Sequence, residues 1–214
     1  MPCITVKRSI RTRLIAALLL VAPAFNTLSA ATFDLEDGLT RGSSRFVYDL
    51  PDSALRLSAG DITPLKSDLQ GPGITAADVL RATAFVMPCF EIVDSRIRDW
   101  KIRIQDTVAD NASCGVFVLG KDRVKPHALD LAAVKMDIRK NGAHIASGLG
   151  SAVQGHPATA VAWLANTLGR FGIPFLAGEV ILSGSLAPLL PAVPGDRFEM
   201  SIAGIGTASI GFEA

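Results

Sequence analysis

Cysteine is scarce in this chain: three residues, Cys3, Cys89 and Cys114, far apart and with no CxxC pair. An odd, scattered set excludes a disulfide scaffold and offers no structural zinc site. Histidine is as rare, and His127, His144 and His156 show neither HxH nor HExxH spacing, so a histidine-bound zinc centre is not expected. Neither a phosphate loop nor a dinucleotide fingerprint is present. Charged residues make up only 19%, and 21 Lys and Arg against 20 Asp and Glu leave a net charge of +1. With no dense basic stretch beyond the first thirteen residues, the clustered face of a nucleic-acid-binding domain is excluded. What is abundant is apolar: 49% of 214 residues, enough for a packed core and against wholesale disorder.

The N-terminus differs from the rest. Lys7, Arg8, Arg11 and Arg13 precede an apolar run from Leu14 to Phe25, and small residues follow at Ser29, Ala30 and Ala31. This is the layout of a secretory signal, with a run too short for a membrane span of about 20 residues. A buried or amphipathic first helix is the competing reading. The chain therefore divides into a signal-like or mis-started segment over 1–31, an irregular segment over 32–64 in which Gly, Ser, Asp and Pro break every apolar run, and a domain over 65–214.

Local signals become clear after the Gly71-Pro72-Gly73 turn. Thr75 and Asp78 have capping-box spacing and open a helix from Ala76 to about Ala84. Val116–Leu119 reads as a short strand. Val134–Arg139 alternates and meets Asn141-Gly142, the strongest hairpin signal in the chain, with a return strand over His144–Ser147. His156-Pro157 starts a second helix that ends at Gly169 or Gly172. Strands over Glu179–Ser183, Asp196–Ala203 and Ala208–Phe212 complete the count. The expected fold is α+β: a mixed, mostly antiparallel sheet curled into a sandwich or barrel-like core, with two main helices.

Few residues stand out as chemistry. Glu91 is the single carboxylate in the apolar stretch Phe85–Val93, where burial requires a partner such as Arg96 or Arg98, or a metal. Asp106, Asp110 and Asn111 suit an Asx-type turn. Lys101, among Ile and Trp neighbours, either becomes desolvated and acts as a base or snorkels to water. His156 before proline reads as a helix cap. Ser183-Gly184-Ser185 is no nucleophile elbow, but hydroxyls and free N–H groups at a strand end can hold a carboxylate. Cys89 and Cys114 read as core thiols.

Taken in order, Phe90–Trp100, Asp106–Gly115, Gly155-His156-Pro157 with Ala162–Asn166, Gly178–Ser185 and Pro194–Phe198 resemble the 2-oxopent-4-enoate hydratase and 4-oxalocrotonate decarboxylase family, within the fumarylacetoacetate-hydrolase-like superfamily. The resemblance runs from about Leu65 to the C-terminus. It implies a lyase that adds water to 2-hydroxypenta-2,4-dienoate in aromatic meta-cleavage catabolism, a small 2-oxo acid substrate, a cytoplasmic setting, aldolase and dehydrogenase pathway neighbours and, were the N-terminal region intact, a homo-oligomer. It also implies Mg²⁺ or Mn²⁺ held by three carboxylates, with Glu91 at the third metal position, Ser185 in the loop that clamps the substrate carboxylate, and Lys101 as candidate general base.

Departures accompany the resemblance. The family's first two metal carboxylates form a Glu-x-Glu pair, and counting back from Glu91 puts Ser58 and Gly60 there, with Asp61 one residue out of phase. The family's N-terminal lysine-bearing region is also replaced by the signal-like segment. A changed reading frame or gene start upstream of Leu65 accounts for both, as does a degenerate paralogue, and the chain as written is expected to have a damaged metal site. The rival activities are 4-oxalocrotonate decarboxylation and, from another class, an exported non-catalytic binding domain.

Overall fold

The computed structural model describes residues 55–95, 97–101 and 103–212, so the signal-like segment and most of the irregular one lie outside the described residues. Strands β1 (Leu55–Pro64), β2 (Met87–Asp94), β3 (Cys114–Leu119), β6 (Val180–Leu182) and β7 (Leu190–Pro191) make one sheet. Its order is β3-β2-β1-β6, with β7 also pairing β1. Strands β4 (Lys135–Lys140), β5 (Ala143–Leu149), β8 (Arg197–Ile202) and β9 (Gly206–Gly211) make the second, in the order β5-β4-β8-β9. All the strand pairings described are antiparallel. The two sheets pack as layers; among the described residues they do not close into a barrel.

The second sheet follows directly from its sequence. Met136 and Ile138 of β4, and Phe198, Met200 and Ile202 of β8, point inward between outward-facing neighbours. They meet Phe90 and Ile92 of β2 in the main core. Each such side chain taken fully out of water contributes about 1.5–3 kcal/mol. Asn141 and Gly142 both take positive φ, 52° and 84°, the pair that a two-residue hairpin turn of matching twist requires.

Two helices pack together against Ile181 of β6. Helix α1 (Ala76–Ala82) carries the expected capping box: the Thr75 side chain accepts from the Asp78 N–H, and the Asp78 carboxylate accepts from the Thr75 N–H. Helix α3 (Pro157–Gly169) starts where expected, with His156 Nδ1 accepting from the Ala158 N–H at 3.0 Å. Buried Val79 and Ala82 of α1 pack with Val161 and Leu164 of α3 and with Phe175. The turn before α1 is held to α3 by Asn166, whose Oδ1 accepts from the Ile74 N–H and whose Nδ2 donates to the Ile74 carbonyl, both at 2.8 Å.

Two segments differ from their sequence reading. The last ten residues of the irregular segment form β1, flanked by β2 on one edge and by β6 and β7 on the other. Pairing on both edges overrides the poor strand propensity of Gly60, Asp61 and Pro64. The stretch expected to make only an Asx-type turn contains helix α2 (Ile104–Ala109) followed by a 3₁₀ turn over Asn111–Ser113. The Asp106 carboxylate starts that helix by accepting from the Arg103 N–H at 2.8 Å.

Candidate active site

Strand β2 is buried on both faces, and its two faces do different work. Phe90 and Ile92 face the second sheet, whereas Met87 and Cys89 join Leu182, Phe85, Phe117 and Val180 in a small cluster on the opposite face. Glu91 follows Cys89 by two residues, which puts it on that second face, half-buried. Its register partners are Ser58 on β1 and Phe117 on β3.

The Ser185 segment reaches the same place from the other edge of β1. Leu182 of β6 pairs Ile62, and Leu190 of β7 pairs Leu57, so residues 183–189 leave the sheet at the level of positions 58–61. Glu91 and the Ser183–Ser185 turn thus flank one stretch of β1 from its two sides. Ser183 is fully buried, Gly184 has φ of +132°, and the Ser185 hydroxyl donates to the Ala187 carbonyl at 2.5 Å. Leu186 and Ala187 then insert into the main core, anchoring the loop.

Lys101 sits differently from the first of its two sequence readings. Its side chain is 81% exposed and its ammonium lies 3.6 Å from the carboxylate of Asp99, itself exposed. The lysine reaches water, as in the second reading. Asp99 itself takes a left-handed conformation, φ 57°.

A buried polar cluster at the end of β2 went unread in the sequence. Asp110 is 7% exposed and accepts hydrogen bonds from Ser113 Oγ at 2.7 Å and Ser95 Oγ at 3.3 Å. Ser95 Oγ in turn accepts from the Ile97 N–H at 3.2 Å. These bonds fasten both ends of the 95–113 segment to one carboxylate. Its signal was the Asp-Asn-Ala-Ser run, which names turn formers but not which of them is buried. A second cluster, Asp137, His144 and Ser147, lies exposed on the second sheet. There the Ser147 hydroxyl is the main cause that holds the Asp137 carboxyl below the usual range. His144 Nε2 faces both Ser147 Oγ and Asp137 Oδ1, so one nitrogen serves both partners and no proton relay is formed.

A hard divalent cation needs several oxygen ligands, and the described residues in register with Glu91 do not supply them. Along β1 the positions in phase with Glu91 are Arg56, Ser58, Gly60 and Ile62; along β3 they are Phe117 and Leu119. Asp61 pairs Pro88 and falls in the other phase. Among the described residues no three His, Cys, Asp or Glu side chains gather into a metal-holding group.

Comparison with known proteins places this arrangement. The family model for the fumarylacetoacetate (FAA) hydrolase C-terminal region matches residues 68–211. The chain belongs to the FAA hydrolase C-terminal family. Within it, the chain is 74% identical over 148 residues to a 2-hydroxyhexa-2,4-dienoate hydratase of Comamonas testosteroni, covering 69% of this chain and 56% of the relative. It is 63% identical over 109 residues to a 2-hydroxypent-2,4-dienoate hydratase of Pseudomonas putida, covering 51% and 49%. The fold is similar to that of 4-oxalocrotonate decarboxylase from Pseudomonas putida G7, a structure complexed with magnesium and adipate. That likeness has a TM-score of 0.72 at 34% identity and covers 74% of this chain and 60% of that one. The chain spans about half the length of the curated relatives it matches. The matched FAA hydrolase region includes Glu91, Lys101 and the Ser183–Ser185 turn.

Proposed function

We propose that this chain carries the core domain of a hydro-lyase that adds water to 2-hydroxypenta-2,4-dienoate to give 4-hydroxy-2-oxopentanoate, with turnover impaired in the chain as written. The observation that carries this reading is the 74% identity to a dienoate hydratase across most of the FAA hydrolase region. The impairment is supported by the register, which leaves Glu91 the one carboxylate of its phase among the described residues of β1, β2 and β3.

In this reading the substrate is a small 2-oxo acid lying across the stretch of β1 between Glu91 and the Ser183–Ser185 turn. The Ser185 hydroxyl, released from Ala187, and the backbone N–H groups of the turn hold the substrate carboxylate. Ketonisation of the dienol leaves an enone, and water adds at its β-carbon, so protons must be moved at both steps. Lys101 is the candidate base; it fills that role only once substrate or a neighbouring subunit excludes water from its ammonium. Exposed Phe171, Leu149 and Val193 are consistent with a homo-oligomer. A cytoplasmic place in aromatic catabolism belongs to the same proposal. Among the described residues no helix is long and apolar enough to cross a membrane.

The competing activity is decarboxylation of 4-oxalocrotonate, favoured by the fold likeness to that enzyme. Incubating the purified chain with each substrate separates the two. Slow loss of the dienoate absorbance without CO₂ release from 4-oxalocrotonate is expected. CO₂ release with no water addition overturns the hydratase reading, and inertness toward both substrates leaves a non-catalytic paralogue.

A further inference from the structure

We infer that the Glu91 face of this chain does not bind a divalent cation as it stands, and that the β1–β2 ladder is a metal-site frame missing its ligands at positions 58 and 60. The antiparallel register decides this. Position 58 lies directly opposite Glu91 and position 60 opposite Cys89, two residues along β2. Directly paired residues on one sheet face hold their Cβ atoms about 4.5–5.5 Å apart, and diagonal ones stay within reach of long side chains. Carboxylates at 58, 60 and 91 would converge on one point, as a hard cation with oxygen ligands requires. The chain has Ser58 and Gly60 instead.

The neighbouring rows leave no substitute among the described residues. On the far edge of β2 the same phase carries Phe117 and Leu119, and along β2 itself it carries Met87 and Cys89. The Cys89 Sγ donates to the Phe90 carbonyl within a buried apolar cluster, and a thiol is a soft ligand ill matched to Mg²⁺. The one β1 carboxylate, Asp61, is out of phase.

The test titrates the full chain with Mn²⁺, followed by the loss of the free-ion electron paramagnetic signal, and with Mg²⁺ by calorimetry. The wild-type chain should bind no tighter than about 1 mM, the weak end of oxygen-ligand sites. The S58E/G60E double variant should bind Mn²⁺ tighter by about 100-fold, within the range over which ligand charge tunes such sites, and adding Glu91→Gln should abolish the gain. Should the double variant fail to fold by circular dichroism, Ser58→Glu alone should give a gain of about tenfold. Micromolar binding by the wild-type chain overturns the inference. So does a folded variant with no gain, or a gain that survives Glu91→Gln. The inference rests on register and not on the hydratase reading, and no turnover enters the titration, so either can fail alone.

Discussion

The hairpin tip at Asn141 is tied to the start of β8 by one carboxylate, and removing it should be felt across both sheets. Asp196, 6% exposed, accepts from Asn141 Nδ2 at 3.0 Å and from the Val193 N–H at 2.8 Å, and pairs with the Lys140 ammonium at 2.7 Å. Lys140 also donates to the Pro191 carbonyl of β7 at 3.2 Å and lies over the Phe198 ring, 5.3 Å from its centre. The carboxylate therefore holds a cation that bridges the two sheets. Three hydrogen bonds to an ionised carboxylate, at about 1.5–3 kcal/mol each, set the upper bound of the loss for Asp196→Ala. Lys140 can partly turn to water, which reduces the net to about 2–4 kcal/mol. For a domain of this size that is a fall in Tm of roughly 5–15 °C. Burial pushes the Asp196 carboxyl up, but the Lys140, Val193 and Asn141 hydrogen bonds and the Lys140 charge outweigh it and hold it below its usual value. Its contribution is therefore complete above the unfolded carboxylate value of about 3.9 and is lost as pH falls through the lower folded value. Urea denaturation of the wild-type and variant chains from pH 7 down to 3 reads both effects. A loss under about 0.5 kcal/mol at pH 7, or a gap that does not narrow in acid, would refute the bridge.

Gly148 on β5 packs against the loop that carries Ser185: a Cβ there would lie 2.0 Å from the Leu186 carbonyl oxygen. Gly148→Ala should destabilise the chain by about 1–3 kcal/mol. It should also weaken binding of a small carboxylate such as oxalate, measured by calorimetry; unchanged binding in a folded variant would separate this loop from the substrate. Asp110→Ala removes the buried acceptor shared by Ser95 and Ser113 and should lower stability by about 2–4 kcal/mol in urea melts. Proteolysis should shift to the 95–113 segment, and a cleavage pattern like the wild-type one would contradict its anchoring role.

Where one face of a strand meets the core and the other meets water, the sequence was legible. Met136 and Ile138, and Phe198, Met200 and Ile202, alternate because β4 and β8 lie in the outer layer. Turn and cap chemistry was legible for the same local reason, at Asn141-Gly142, Thr75 with Asp78, and His156-Pro157. β2 showed no alternation because Met87–Phe90 are buried on both faces, which erases the period of two. β1 was hidden more deeply, since its place is set by partners distant in sequence, Met87–Asp94, Val180–Leu182 and Leu190–Pro191. At the site, Glu91 stood out as a lone carboxylate in an apolar run, but the exposure of Lys101 beside the left-handed Asp99 is not something its Ile and Trp neighbours reveal.

The same register explains why Asp61 cannot rescue the Glu91 face by slipping. A one-residue shift of β1 would bring position 61 into phase with Glu91, yet it would also exchange the two faces of the whole strand. Positions 57 and 59, now opposite Ile92 and Phe90 in the ladder, would lose those partners along with every other pair of β1 and β2. The strand is also pinned from its other edge, because Ile62 pairs Leu182 while Leu57 pairs Leu190, so a slip must break two further ladders. The phase of β1 is thus fixed by packing, and the ligand set of this face can change only by substitution.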